Sequence, residues 1–282
     1  MSVVHPEPFR LDGRIVVITG AAGLLGRNHA AAVLEAGGHP VLADIAAEPL
    51  VAASRDLEAT FGGGLSTSVV DITDERQVQR FAQEVWDLHG RVDGLVNNAA
   101  NNPKVEDGEG RFSRLEAFPL AAWDQDIAVG LTGAFLCAKH LGPLIARSAE
   151  GSPGRTTGSI VNISSDLGLI APDQRLYRRE GLAEDQQPVK PVTYSVVKSG
   201  LIGLTRYLAT YWPGLVRSNA LCPGGVEQGQ AEEFVRNLAD RIPLGRMADA
   251  DEYRGAITFL LSDASSYMNG AVLAMDGGRS AW

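Results

Sequence analysis

Apolar runs and amphipathic stretches alternate along this chain from one end to the other. Arg14 to Thr19 (RIVVIT) is a continuous apolar run, the pattern of a strand buried on both faces. Leu24 to Ala36 follows with apolar residues at helical spacing. Next come a strand over Pro40 to Ala43, a helix ending near Phe61, and a third strand that includes Ser68 to Val70. A helix over Glu75 to Leu88 precedes a strand over Val92 to Val96. A long helix from about Leu120 to Ala149, in which Pro143 predicts a bend, leads to a strand over Ser159 to Ile163. A helix over Tyr194 to Tyr211 and strands over Val216 to Leu221 and Val272 to Met275 complete the pattern.

Apolar strands separated by helices predict an α/β protein, with a parallel sheet of about seven strands covered on both faces. Right-handed crossovers leave a Rossmann-type doubly wound sheet as the expected topology. The 282 residues show no internal repeat and no long linker, so they read as one domain. Such sheets bind ligands outside the carboxyl ends of their strands. Segments near residues 101–118, 171–191 and 225–245 are therefore expected substrate loops, with solvated connections as the plainer alternative.

Charge and cysteine content narrow the function. A net charge of −9 argues against nucleic-acid binding, which needs basic surface to displace counterions. The start of the sequence shows no secretory leader, and no unbroken run of 18 apolar residues exists, so a cytoplasmic protein without a membrane span is expected. Cys137 and Cys222 lie far apart without metal-ligand spacing, so no metal is expected and both read as small buried residues.

Thr19-Gly20-Ala21-Ala22-Gly23-Leu24-Leu25-Gly26 sits between the first strand and the first helix. Glycine there permits a tight turn and close approach of backbone to a pyrophosphate, which the helix amino terminus attracts. Asp44 ends the second strand, where a carboxylate bonds the ribose hydroxyls of NAD and repels the extra phosphate of NADP. A helix cap is the plainer alternative for Asp44. Asp71 and Ile72 close the third strand, beside the adenine position. Asn97, Asn98, Ala99 and Ala100 close the fourth, beside the nicotinamide ribose.

Tyr194 and Lys198 stand four residues apart on a predicted helix, hence on one face. Lys104, Lys139, Lys190 and Lys198 are the only lysines, so this spacing rarely arises by chance. An ammonium about 4 Å from a phenol favours the phenolate by up to about 4 kcal/mol, enough to lower its pKa by as much as ~3; burial opposes this. A tyrosine so placed can take a proton from an alcohol as hydride leaves, or return one to a carbonyl.

With these residues assembled, the chain resembles the short-chain dehydrogenase/reductase family over nearly its whole length. The matching segments are TGAAGLLG, Asp44, NNAA at 97–100, NISS at 162–165, YSVVK at 194–198, RSNALCPGG at 217–225 and DGG at 276–278. The resemblance implies that Ser165 polarises the substrate oxygen, Tyr194 is the acid/base, and Lys198 lowers the tyrosine pKa and holds the cofactor ribose. Ser164, adjacent to Ser165, is the alternative serine. Asn98, Pro223, Gly224 and Val226 would line the cofactor, together with Gly20, Gly23, Leu24, Leu25, Gly26, Asp44, Asp71, Ile72, Ala99, Ala100, Tyr194 and Lys198. The family usually assembles into homo-oligomers, tetramers or dimers, through its long helices and last strand.

Four departures stand out. The glycine spacing is that of the family's sugar-nucleotide branch. Gly130 stands where an asparagine usually holds a relay water. The interval from Ser165 to Tyr194 is longer than usual, and Gln228 replaces a threonine near the nicotinamide amide. The expected activity is NAD-dependent hydride transfer at the alcohol or carbonyl of a small molecule. A sugar epimerase or dehydratase and a nucleotide-sensing protein are the alternatives. APDQRLY and LTRYLATYW resemble the branch associated with bacterial surface-glycan and flagellin-modification sugars. Arg175, Arg178 and Arg179 are the residues expected to contact a charged group on such a substrate, against a solvated arginine face as the alternative.

Overall fold

The computed structural model describes residues 7–101, 113–151 and 157–282. Its strands are β1 (Ile15–Thr19), β2 (His39–Asp44), β3 (Ser66–Val69), β4 (Gly94–Asn97), β5 (Gly158–Ile163), β6 (Val216–Pro223) and β7 (Val272–Met275). All pair in parallel, in the order β3-β2-β1-β4-β5-β6-β7. Chain order reverses between β1 and β4, so a crevice opens there at the carboxyl edge. The doubly wound single domain is as expected.

The RIVVIT run is apolar throughout because both of its faces are covered. Val16 and Ile18 join the core under α1 (Leu24–Glu35) and α8 (Arg254–Leu261). Ile15 and Val17 point the other way, into the core under α3 (Glu75–His89), α5 (Gly133–Glu150) and α6 (Val192–Tyr211). Helix α2 (Ala47–Phe61) follows β2, and the short α7 (Glu232–Ala239) was not anticipated from sequence; nor was α8.

The predicted long helix is interrupted. Helix α4 (Leu120–Ile127) passes through a π-helical turn, Ala128–Thr132, into α5, which continues through Pro143. The irregularity therefore lies at Gly130, ahead of the proline. The stretch Leu120–Glu150 is also long and apolar enough to cross a bilayer, with a mean hydropathy of 1.3, despite lacking an unbroken apolar run. Here it is a core helix: Cys137, Leu141 and Ile145 are fully buried. Burial pushes the Cys137 thiol up to about 12, as suits an unreactive core residue.

Polar bonds cross the core below the crevice. Asn97 Nδ2 donates to Asn162 Oδ1 (2.8 Å), and Asn162 Nδ2 donates to Thr205 Oγ1 (2.8 Å). Strands β4 and β5 and helix α6 are thereby tied side chain to side chain.

Candidate active site

The crevice is a cleft of about 790 Å³ that runs from the glycine loop to Tyr194. Gly20 turns the chain at φ +63°, and a Cβ there would lie 2.8 Å from Ala99 Cα. Gly26 packs the first turn of α1 onto the loop: a Cβ would meet Gly20 O at 2.2 Å. Gly23 caps α1 without a side chain, so the first-turn N–H groups face the cleft, as an anionic pyrophosphate requires. Asn98 locks the loop by donating from Nδ2 to Thr19 O (2.9 Å) and Gly20 O (3.1 Å).

Asp44 lines the same cleft. Its Oδ2 accepts from Ala22 N and its Oδ1 from Ala46 N, both at 3.0 Å. Ala46, not Asp44, caps α2. The carboxylate thus joins the glycine loop to the end of β2. Leu24, Leu25, Asp71, Ile72, Ala99, Ala100, Pro223, Gly224 and Val226 also line the cleft. These residues fit a nicotinamide dinucleotide: a cradle that side chains at Gly20 and Gly26 would fill, a helix amino terminus, and a carboxylate beyond it.

Ser165, Tyr194 and Lys198 meet at the other end. Lys198 is buried and donates from Nζ to Ile163 O (2.8 Å). Its Nζ lies 5.8 Å from the centre of the Tyr194 ring. The adjacent serines separate cleanly. Ser164 Oγ donates to Lys198 O (2.7 Å), anchoring α6, whereas Ser165 lies at the Tyr194 phenol.

The electrostatics correct one expectation. Burial raises the Tyr194 pKa above its usual 10; the Ser165 hydroxyl pulls it down and Asp166 pushes it up further. Burial likewise brings Lys198 down to about 8. The predicted lowering of the phenol by the ammonium is therefore absent in the protein alone. Lys198 donates from Nζ to a backbone carbonyl, Ile163 O, rather than to the phenol.

The chain matches the family model described as "short chain dehydrogenase" over residues 14–177. It matches "Enoyl-(Acyl carrier protein) reductase" over residues 182–280. It is a short-chain dehydrogenase/reductase. The cis-4-hydroxycyclohexanecarboxylate dehydrogenase of Sinomonas cyclohexanicum is 35% identical over 276 residues, covering 95% of this chain and 97% of that protein. The D-threitol dehydrogenase of Mycolicibacterium smegmatis is 33% identical over 276 residues, covering 96% and 94%. The gluconate 5-dehydrogenase of Burkholderia cenocepacia, solved with NADP and tartrate, superposes with a TM-score of 0.80 at 28% identity over 98% of each chain. As a member of this family the chain is a nicotinamide-dependent oxidoreductase of alcohol/carbonyl pairs.

In this short-chain dehydrogenase/reductase Gly130, where the resemblance implies an asparagine, lies in the π turn. A Cβ there would lie 2.5 Å from Val197 Cγ1, so Val197 occupies the space of the missing side chain. A void of about 10 Å³ remains between Asp126, Gly130, Thr193, Tyr194 and Lys198. That is at the lower bound for a single water. Gln228 lines the main cleft.

The predicted substrate arginines do not face the cleft. Arg175 pairs with Asp173, which also holds Arg241, and Arg178 pairs with Glu184. Arg179 is tied through its backbone to Gln187. Its loop does reach the cleft, but through Leu176, Tyr177 and Lys190. Most of the 101–118 loop lies outside the described residues. From the 225–245 segment, Gly225, Val226, Gln228, Gln230, Phe234 and Leu238 line the wall. Sequence reasoning missed three charged residues there. Lys190 sits over the Tyr194 ring with Nζ 4.1 Å from its centre. Asp166 and Arg279 form an ion pair (2.6 Å) beside Ser165, each less than a tenth exposed.

Proposed function

We propose that this protein transfers hydride between NAD and the alcohol or carbonyl of a polar, sugar-like small molecule in the cytoplasm. The observation that carries this reading is one cleft with Ser165, Tyr194 and Lys198 at one end and Asp44 at the other. Among the described residues the cations lining that cleft are Lys190, Lys198 and Arg279; Arg27, which donates to Ala22 O and Pro49 O at the Asp44 end, is paired with Asp56. A ribose 2′-phosphate would meet the Asp44 carboxylate, which supports NAD over NADP. NAD, when bound, supplies the hydride acceptor. The chain's own residues do the proton chemistry. Ser165 holds the substrate oxygen, Tyr194 takes or returns its proton at the phenol oxygen, and Lys198 orients the nicotinamide ribose.

Relatives named for threitol and for hydroxycyclohexanecarboxylates support a polyol or hydroxy-acid substrate. Surface-glycan sugars fall within that class. Exposed Phe135, Tyr207 and Tyr211 on α5 and α6 support a homo-oligomer formed through the long helices. The test is absorbance at the NADH band with a panel of polyols, sugar acids, cyclitols and steroids. Polar substrates should turn over and steroids should not. Tyr194→Phe should retain fold and NAD affinity but lose turnover by at least about 100-fold. Near-normal turnover in that variant, or activity on apolar ketones alone, would refute the reading.

A further inference from the structure

Arg279 reaches the catalytic serine from a distant part of the chain. It follows Gly277 and Gly278, whose φ values of 67° and 90° suit glycine alone. Side chains at these positions would collide with Ile242 and Pro243. Asp276 clamps the turn by accepting from Gly278 N and Ser280 N, both at 2.9 Å. The turn sends the Arg279 side chain into the cleft, where Nη1 donates to Asp166 Oδ2 (2.6 Å). Asp166 Oδ1 in turn accepts from Ser165 Oγ and from Leu167 N, both at 2.8 Å. One carboxylate therefore stands between the guanidinium and the catalytic hydroxyl.

A guanidinium offers five N–H donors. Among the described residues, Arg279 uses one of its nitrogens, Nη1, on a protein acceptor. Its Nε and Nη2 form the edge that meets a carboxylate through two parallel bonds. Asp166 fixes the other side of the group and so holds this edge in place. A buried ion pair contributes little net stability, because desolvation offsets the attraction. Lys198 and Arg279 line this end of the cleft, and Asp166 is the carboxylate that Arg279 bonds.

The structure assigns Arg279, held by Asp166, as the binding site for a carboxylate on the substrate, which makes that substrate a hydroxy acid or the matching keto acid. The acid group lies within a few bonds of the reacting carbon, because the guanidinium is one carboxylate away from Ser165. This rests on the dehydrogenase reading above and narrows it. It also moves the substrate-contacting arginine from the 171–191 loop to the turn after β7.

Binding of two probes to the NAD-loaded protein tests it by calorimetry. Cyclohexanecarboxylate carries the charge; cyclohexanecarboxamide has the same shape without it. The carboxylate should bind at least tenfold more tightly, and Arg279→Met should abolish the difference. The double variant Asp166→Asn/Arg279→Met leaves no buried carboxylate unpaired, and it should abolish the difference even if the single variant folds poorly. Equal affinities, binding of neither probe, or a preference that survives in the double variant overturns the assignment. Failure of the dehydrogenase reading shows elsewhere, as absence of NADH formation from any alcohol, charged or neutral.

Discussion

Replacing Asp44 by alanine probes the cofactor end most directly. The carboxylate is half-buried and accepts two backbone N–H groups, one of them from the glycine loop. Each such bond contributes about 0.5–1.5 kcal/mol, so the glycine loop loses roughly that much restraint with the side chain, and the start of α2 a similar amount. A 2′-phosphate carries a charge of about −1.5 to −2. Set about 5 Å from the carboxylate, it is repelled by roughly 3 kcal/mol per unit charge at an effective dielectric of 20. Solvent around a half-exposed group reduces this to about 1.5–2 kcal/mol, a factor of ten or more. The wild-type protein should therefore show at least tenfold higher kcat/KM with NAD than with NADP. In Asp44→Ala, efficiency with NAD should fall about 10- to 100-fold while efficiency with NADP holds or rises, bringing the ratio near one. The assay is initial-rate kinetics with both cofactors on one substrate. A ratio unchanged by the substitution would show that Asp44 serves the loop alone.

The packing at the π turn predicts that Gly130→Asn gives no gain in turnover. Its Cβ meets Val197, so the variant should lose about 1–3 kcal/mol of stability, read as a lower Tm, and Val197→Ala should restore part of it; a large rise in kcat would refute this. A third test concerns pH. His39 Nε2 lies 2.8 Å from Ser66 Oγ and His89 Nε2 lies 3.3 Å from it, with the rings 4.7 Å apart. Burial holds both imidazoles below their usual 6.5, and for His39 the neighbouring ring adds to it. Above pH 6.5 both are neutral whether the chain is folded or not. Below it the unfolded chain takes up protons that the folded one resists, so stability falls as the pH drops from 6.5. His29, fully buried and lowered to about 3, acts in the same direction. Thermal melts from pH 7.5 to 5 should show a shallower loss of Tm in His89→Asn than in the wild type. Identical slopes would exclude the pair as a source.

The sheet was legible because most strands announce themselves twice, as an apolar run and as the partner of a helix; the polar β3 (STSV) is the exception. β1 is the clearest case, with residues buried alternately in two cores. Helices α7 and α8, of eight residues each, are too short for a periodic pattern to rise above its surroundings. The π turn was illegible for a different reason: it is a change of hydrogen-bond register, visible only through Val197 packing on Gly130. Tyr194, Lys198 and the glycine loop were legible as local spacings. Arg279 was not, since 113 residues separate it from Asp166 and no spacing spans that distance. Lys190 was within reach, four residues before Tyr194 in a chain with few lysines. The arginines of the 171–191 loop misled because sequence shows their charge without showing that Asp173 and Glu184 already hold two of them.

The amide chain from Asn97 through Asn162 to Thr205 acts as a locating pin. Asn97 directly precedes the residue that locks the glycine loop, and Asn162 lies three before Ser165. Apolar packing tolerates small slips between neighbouring strands, since a slid side chain still finds hydrophobic neighbours. Two successive bonds of 2.8 Å with fixed direction do not tolerate them. The glycine loop and Ser165 are thus built to a common datum beneath the crevice, independent of the loops above it. Those loops are free to diverge in sequence without disturbing the distance hydride must travel.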